Sequence, residues 1–172
     1  MAKELVWYAA YGGCLLRERM AVFLKGGYCR HSDRMYPGCL NQSPPLEARP
    51  YTIGYPMYFG NRSEFWEDGG VAFLDLRFED RGSTLARAYL ITPEQFEGVR
   101  LQMNADHGWY DQVVDLGELE GYPIRTFTSA SPHPCVPPGN RYKELLWRGL
   151  KESHPKLTEL DIRTYIGGAI IL

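Results

Sequence analysis

No apolar run in this 172-residue sequence approaches the ~20 residues that a membrane-spanning helix needs. No charge excess stands out either: 19 lysines and arginines face 21 aspartates and glutamates, for a net charge of −2. Such a balance supplies no basic field for nucleic acid or for an anionic membrane surface. Cysteines are few (Cys14, Cys29, Cys39 and Cys135) and none forms a CxxC pair. A disulfide framework is excluded on that count, and Cys29, His31 and Cys39 lack the second close pair that a tetrahedral metal site requires. There is no GxGxxG, so the dinucleotide-binding reading is rejected. Internal repeats and low-complexity linkers are missing as well. The charged start Met1-Ala2-Lys3-Glu4 does not read as a signal peptide, which makes a cytoplasmic location the expectation.

Apolar residues make up 44% of the chain, enough for one sizeable core, so a single domain over residues 1–172 is expected. Leu5 to Ala10 is an aromatic and aliphatic run that reads as a buried strand. It meets the turn Tyr11-Gly12-Gly13-Cys14, and a helix follows in which Leu16, Met20, Phe23 and Leu24 share a face. On that reading Arg17, Glu18 and Arg19 turn mostly away from the core. Gly26-Gly27 ends the helix. Residues 28–50, rich in proline and without a period, read as a long loop that covers something.

Strands are expected at 51–59, 71–78 and 84–91, with a polar turn at 60–63. Thr92-Pro93-Glu94-Gln95 reads as a capping box with proline at the first helical position, and Phe96, Val99 and Met103 share a face of the helix it opens. Two short strands at 109–116 and 122–128 form a candidate hairpin. An irregular proline-rich loop at 131–138 follows, then a helix from Arg141 with Leu145, Leu146 and Leu150 inward, and a final helix or tail over 157–172. Short turns between strands with few helices argue for an α+β fold.

With those elements placed, several motifs resemble the γ-glutamylcyclotransferase-like family. Tyr11-Gly12-Gly13-Cys14-Leu15 is similar to its strand-YGSNL-helix signature. The likeness continues through YPGC (36–39), SPP (43–45), GVAFLD (70–75), AYLITPEQF (88–96), Tyr142 in NRYKELL and RGLKE (148–152). It covers nearly the whole chain, and is greatest to bacterial members with a long loop after the first helix. The resemblance implies a small mixed β-barrel with flanking helices and a cavity at the YGGC loop. It also implies a small-molecule substrate bound by Tyr11, Gly12, Gly13, Cys14 and Leu15, with Tyr110 and Tyr142 lining the pocket. No cofactor, nucleic acid or membrane partner is implied, and the oligomeric state stays open.

The departures from the family's pattern fall on its chemistry. Gly13 stands where the family has serine and Cys14 where it has asparagine. Met103, in Gln102-Met103-Asn104, takes the place of the glutamate that serves the family as general base. Loss of such a base costs ~10²–10⁴-fold in rate, so ordinary γ-glutamylcyclotransferase activity is not expected. Two readings of Cys14 stand open: a thiol activated by the helix dipole, or an inert apolar filler. A nucleophilic Cys14 would draw on the Gly12-Gly13 turn for donors and on His107 as base. Glu97 and Asp106 are the nearest acidic stand-ins, whereas His31, His133 and His154 belong to no constellation. An apolar, roomier cavity lined by Tyr8, Tyr11, Trp109, Tyr110 and Tyr142 is a further possibility, suited to a bulky, partly aromatic ligand. The function expected is a diverged acyl-transfer or ring-forming enzyme; the alternative is a catalytically silent binder on the same fold.

Overall fold

The computed structural model describes residues 4–170. Its first strand, β1 (Val6–Ala10), is buried at every position. The continuous apolar run has a plain cause: both faces of this strand are covered. Trp7 and Ala9 join one core cluster, and Val6, Tyr8 and Ala10 join a second on the opposite face.

β1 lies in a five-stranded sheet between β7 (Thr84–Ile91) and β9 (Tyr122–Thr128), with β4 (Glu47–Ile53) and β8 (Gln112–Leu119) at the edges. β1 runs antiparallel to β7, with Tyr8 opposite Tyr89, and parallel to β9, with Trp7 opposite Ile124. Two separate ribbons complete the strands: β2 (Gly27–Cys29) with β3 (Arg34–Tyr36), and β5 (Met57–Ser63) with β6 (Gly69–Leu74). The α+β class and the mixed sheet agree with expectation. The sheet is not closed, so the expected barrel holds only loosely.

The expected helices are present as α1 (Arg17–Lys25), α2 (Pro93–Met103), α3 (Asn140–Ser153) and α4 (Glu159–Ile170). α1 stops at Gly26, whose φ of 78° is in the left-handed region that glycine tolerates. The capping box of α2 is formed: Thr92 Oγ1 accepts from Gln95 N–H, and the Gln95 side chain accepts from Thr92 N–H, both at 3.1 Å.

The segment read as one long loop contains the β2–β3 ribbon and the start of β4. Its irregular part does cover something. Gln95 donates to the carbonyls of Asn41 and Ser43, while Gln102 accepts from Gly38 N–H and donates to Phe23 O, tying the loop to α1 and α2. The strand expected over 51–59 is divided between β4 and β5 at Gly54-Tyr55-Pro56. The turn expected at 60–63 is instead the irregular end of β5, where Asn61 takes a φ of 57°. β6 ends early because Asp75 caps a turn, accepting from the N–H of Arg77. Among the described residues no helix is long and apolar enough to cross a membrane.

Candidate functional site

A cleft of about 770 Å³, part of it open to solvent, lies where β1 ends. Tyr11, Gly12 and Gly13 form its floor, and the β2–β3 ribbon supplies Arg34 and Tyr36. The end of α2 and the segment after it supply Met103, Asp106, His107, Trp109 and Tyr110, and α3 brings in Tyr142. All five aromatic residues expected around the cavity line it.

Tyr110 and Tyr142 converge on Ala72 of β6. The Tyr110 hydroxyl donates to Ala72 O at 3.0 Å, and the Tyr142 oxygen accepts from Ala72 N–H at 3.1 Å. Tyr142 therefore keeps its own O–H as a spare donor. That oxygen stands beside Gly12, 3.1 Å from where a Cβ on residue 12 would be. Burial pushes the Tyr142 phenol up to about 12, so it remains protonated and can donate. The Tyr11 hydroxyl is spent on Phe127 O at 2.9 Å.

Cys14 and Leu15 belong to the same turn yet do not line the cleft. The turn is a 3-10 turn, Gly13–Leu15, and α1 begins only after Leu16, which is extended. Cys14 thus does not sit at the N-terminus of α1, where the dipole-activated reading would need it. Burial pushes the thiol up to about 12, outweighing the nearby Arg19 charge. Its carbonyl accepts from the buried Tyr89 hydroxyl at 2.6 Å.

Met103 is half-buried on the wall, next to the second core cluster. His107 is exposed and stacks on Trp109 with ring centroids 4.0 Å apart. Asp106 is engaged in an ion pair with Arg34, and Glu97 binds Arg100 rather than the cleft. Cys29 Sγ and His31 Nδ1 lie 4.0 Å apart, but Cys39 bonds elsewhere, to Phe23 O and Gln95 O. Among the described residues no group of three or more metal-type ligands forms.

The sequence reading missed Arg19. Its side chain is buried in the cleft wall, under the rings of Phe23, Tyr36 and Trp66. The signal was present, because 16, 19, 20, 23 and 24 all lie on one helical face. Burial works against the charge of Arg19, yet a guanidinium stays protonated at any ordinary pH, and Tyr36, Cys14 and Cys29 raise its pKa further as they ionise.

No family model matches the chain. A curated relative, "Histone deacetylase 5" of Arabidopsis thaliana, is 28% identical over 208 aligned positions, covering 99% of this chain and 31% of the relative. The chain therefore spans less than a third of that protein's length. Among solved structures, a γ-glutamyl cyclotransferase superposes with a TM-score of 0.64 at 19% identity, over 95% of this chain and 87% of that one. An uncharacterized human protein gives 0.63 at 20%, over 90% and 83%. YkqA from Bacillus subtilis gives 0.58 at 18%, over 97% of this chain and 55% of that chain. The chain has the γ-glutamyl cyclotransferase-like fold; at these identities the likeness concerns fold alone.

Proposed function

We propose that the cleft is a small-molecule active site of cyclotransferase-like kind, using acyl-transfer or ring-forming chemistry that does not depend on a carboxylate base. The observation that carries this reading is the gathering of donors at one end of an otherwise aromatic cleft. The spare Tyr142 O–H stands beside Gly12, and the Arg19 guanidinium stands beside Gly13. Donors fixed in advance around a carbonyl oxygen stabilise the charge it develops when attacked.

In a ring closure of this class, a substrate nitrogen attacks an amide or ester carbonyl. The new C–N bond forms, the old acyl bond breaks, and the proton given up by the nitrogen goes to the leaving group. His107 is the cleft residue whose two ring nitrogens, one donor and one acceptor, suit that proton shuttle. Tyr11, Gly12, Gly13 and Tyr110 shape the bound substrate. Cys14 and Leu15 take no direct part and hold the turn.

The alternative is a silent binder, favoured by the thioether at position 103 and by the burial of Cys14. Both readings expect little 5-oxoproline from γ-glutamyl dipeptides, and a normal rate of release would refute the placement of Met103. Mass spectrometry of small molecules carried through purification, before and after incubation with amide and ester libraries, separates the two. Turnover lost in Tyr142→Phe and His107→Gln supports the enzyme. A ligand that co-purifies unchanged and is never consumed supports the binder.

A further inference from the structure

We infer that Arg19 recognises an oxyanion, and that the cleft takes a ligand bearing a carboxylate on an aromatic or unsaturated body. This rests on the reading of the cleft as a small-molecule site and adds a substrate class to it.

The argument begins with charge. Arg19 is 7% exposed, and no carboxylate of the described residues lies within ion-pair distance of it. The comparably buried Arg87, by contrast, is paired with Glu152. The other charged pair in the cleft wall, Arg34 with Asp106, neutralises itself. One positive charge is left facing an aromatic cavity, and buried charges are ordinarily paired.

The two hydrogen bonds of Arg19 with good geometry come from one prong and reach no carboxylate. Nη1 donates to Cys29 Sγ at 3.2 Å and Ser32 Oγ at 3.4 Å. A guanidinium offers five N–H donors in a planar fork that matches a carboxylate. The rings of Phe23, Trp66 and Tyr36 hold Cζ at 4.9, 5.2 and 5.7 Å and so fix the plane of that fork.

Gly13 is what makes room for it. A Cβ on residue 13 would lie 2.7 Å from Arg19 Nε and 2.9 Å from its Cδ. Gly13 also lines the cleft, so the bare Cα leaves the guanidinium beside the cavity floor. Farther along the wall, Tyr8 and Phe127 stack at 5.0 Å, and Trp109 and Tyr110 continue an apolar surface for the body of the ligand. The competing counter-ion is a Cys29 thiolate. It accepts one N–H, is buried, and does not line the cleft.

The test compares 3-phenylpropanoate with 3-phenylpropanamide, followed by the NMR shifts of the Trp66 and Trp109 indole N–H signals. The acid should bind the native chain at least about tenfold more tightly than the amide, the worth of a charge-assisted hydrogen bond. Arg19→Met should abolish the preference and Arg19→Lys should retain part of it, with circular dichroism as the check on folding. Gly13→Ala, which keeps the charge but displaces Nε, should weaken the preference. Cys29→Ser should leave it intact.

Equal binding of acid and amide overturns the inference while leaving the cleft a ligand site. Indoles silent to both probes overturn it too, and the turnover assay then judges the cleft independently. A preference lost in Cys29→Ser and kept in Arg19→Met moves the role to the thiolate, which also overturns it.

Discussion

Arg34 of β3 and Asp106, just past the end of α2, meet at the cleft wall in a two-pronged ion pair. Nη2 donates to Oδ1 at 2.9 Å and Nη1 to Oδ2. The same guanidinium lies 3.9 Å over the Phe65 ring. These contacts join the β2–β3 ribbon to the α2 side of the cleft, two walls with no sheet pairing between them.

Cutting that clip should change motion more than stability. Both side chains are about a quarter exposed, so Arg34→Gln should cost at most about 1 kcal/mol. Amide hydrogen exchange at 27–36 should quicken, and a cleft-bound probe should dissociate faster. Unchanged exchange in the ribbon would show that the ion pair does not hold the two walls together.

Cys14 should report its burial through pH. Its thiol is pushed up to about 12 in the folded chain, whereas an unfolded thiol ionises near ~8.5. Between those values the unfolded state loses a proton that the folded state keeps. Stability from this group is therefore complete below ~8.5 and declines as pH rises, by up to about 1.4 kcal/mol per pH unit. Urea melts from pH 8.5 to 10 should show that decline, and Cys14→Ala should lessen it, leaving the share of Cys39 and the buried tyrosines. Alkylation at pH 8 should strike the exposed Cys135 first and reach Cys14 only as the chain opens. Fast labelling of Cys14 in Cys135→Ser would contradict its burial.

Much of this architecture was legible locally. The buried strand, the capping box at Thr92 and the Leu145-Leu146-Leu150 face depend on near neighbours, and each formed where its residues placed it. What failed depended on tertiary context. Residues 27–36 pair across a short ribbon that shows no apolar alternation, so the β2–β3 strands were invisible. Asn61 bends within a strand rather than in a turn. The apolar positions 16, 20, 23 and 24 define a face that leaves Arg19 aside, although residue 19 lies on its border among Leu16, Met20 and Phe23. Aromatic faces and the missing side chain at Gly13, neither of them visible in a helical period, accommodate its charge in the fold.

Glu152 sets up an acid-side prediction. Its Oε1 accepts from Arg87 Nη1 at 2.5 Å and from Arg17 N–H at 2.9 Å, so it links α3 to β7 and to the start of α1. Burial works against the charge, yet these two donors outweigh it and hold the carboxyl below its ordinary range. That stability is present above the unfolded value of ~4.3 and is lost as pH falls through the lower folded value. With Glu152 about two-fifths exposed, Glu152→Gln should cost about 1–2 kcal/mol at pH 7. The loss relative to native should shrink as pH falls below the unfolded value and vanish once the folded carboxyl is protonated too. A constant difference across the pH range would mean that packing, not charge, links the three elements.

Gly149 should be the least replaceable position of α3. A Cβ there would stand 2.6 Å from Leu15 Cβ and 2.9 Å from Leu16 N, on the turn that forms the cleft floor. Backbone cannot yield as a long side chain does, so Gly149→Ala must push α3 away from the turn. Tyr142 rides on the same helix, and its hold on Ala72 N–H should loosen with it. We expect a loss of about 1–3 kcal/mol, the range for overpacking a filled core. Weaker binding of cleft probes should accompany it. Gly168→Ala on α4 is the control: it is exposed and nothing lies within 4 Å of its added Cβ. There helix propensity alone should stabilise the chain by about 0.5–1 kcal/mol. Opposite signs in paired denaturant melts would locate the cost at the contact between α3 and the turn, and equal signs would refute it.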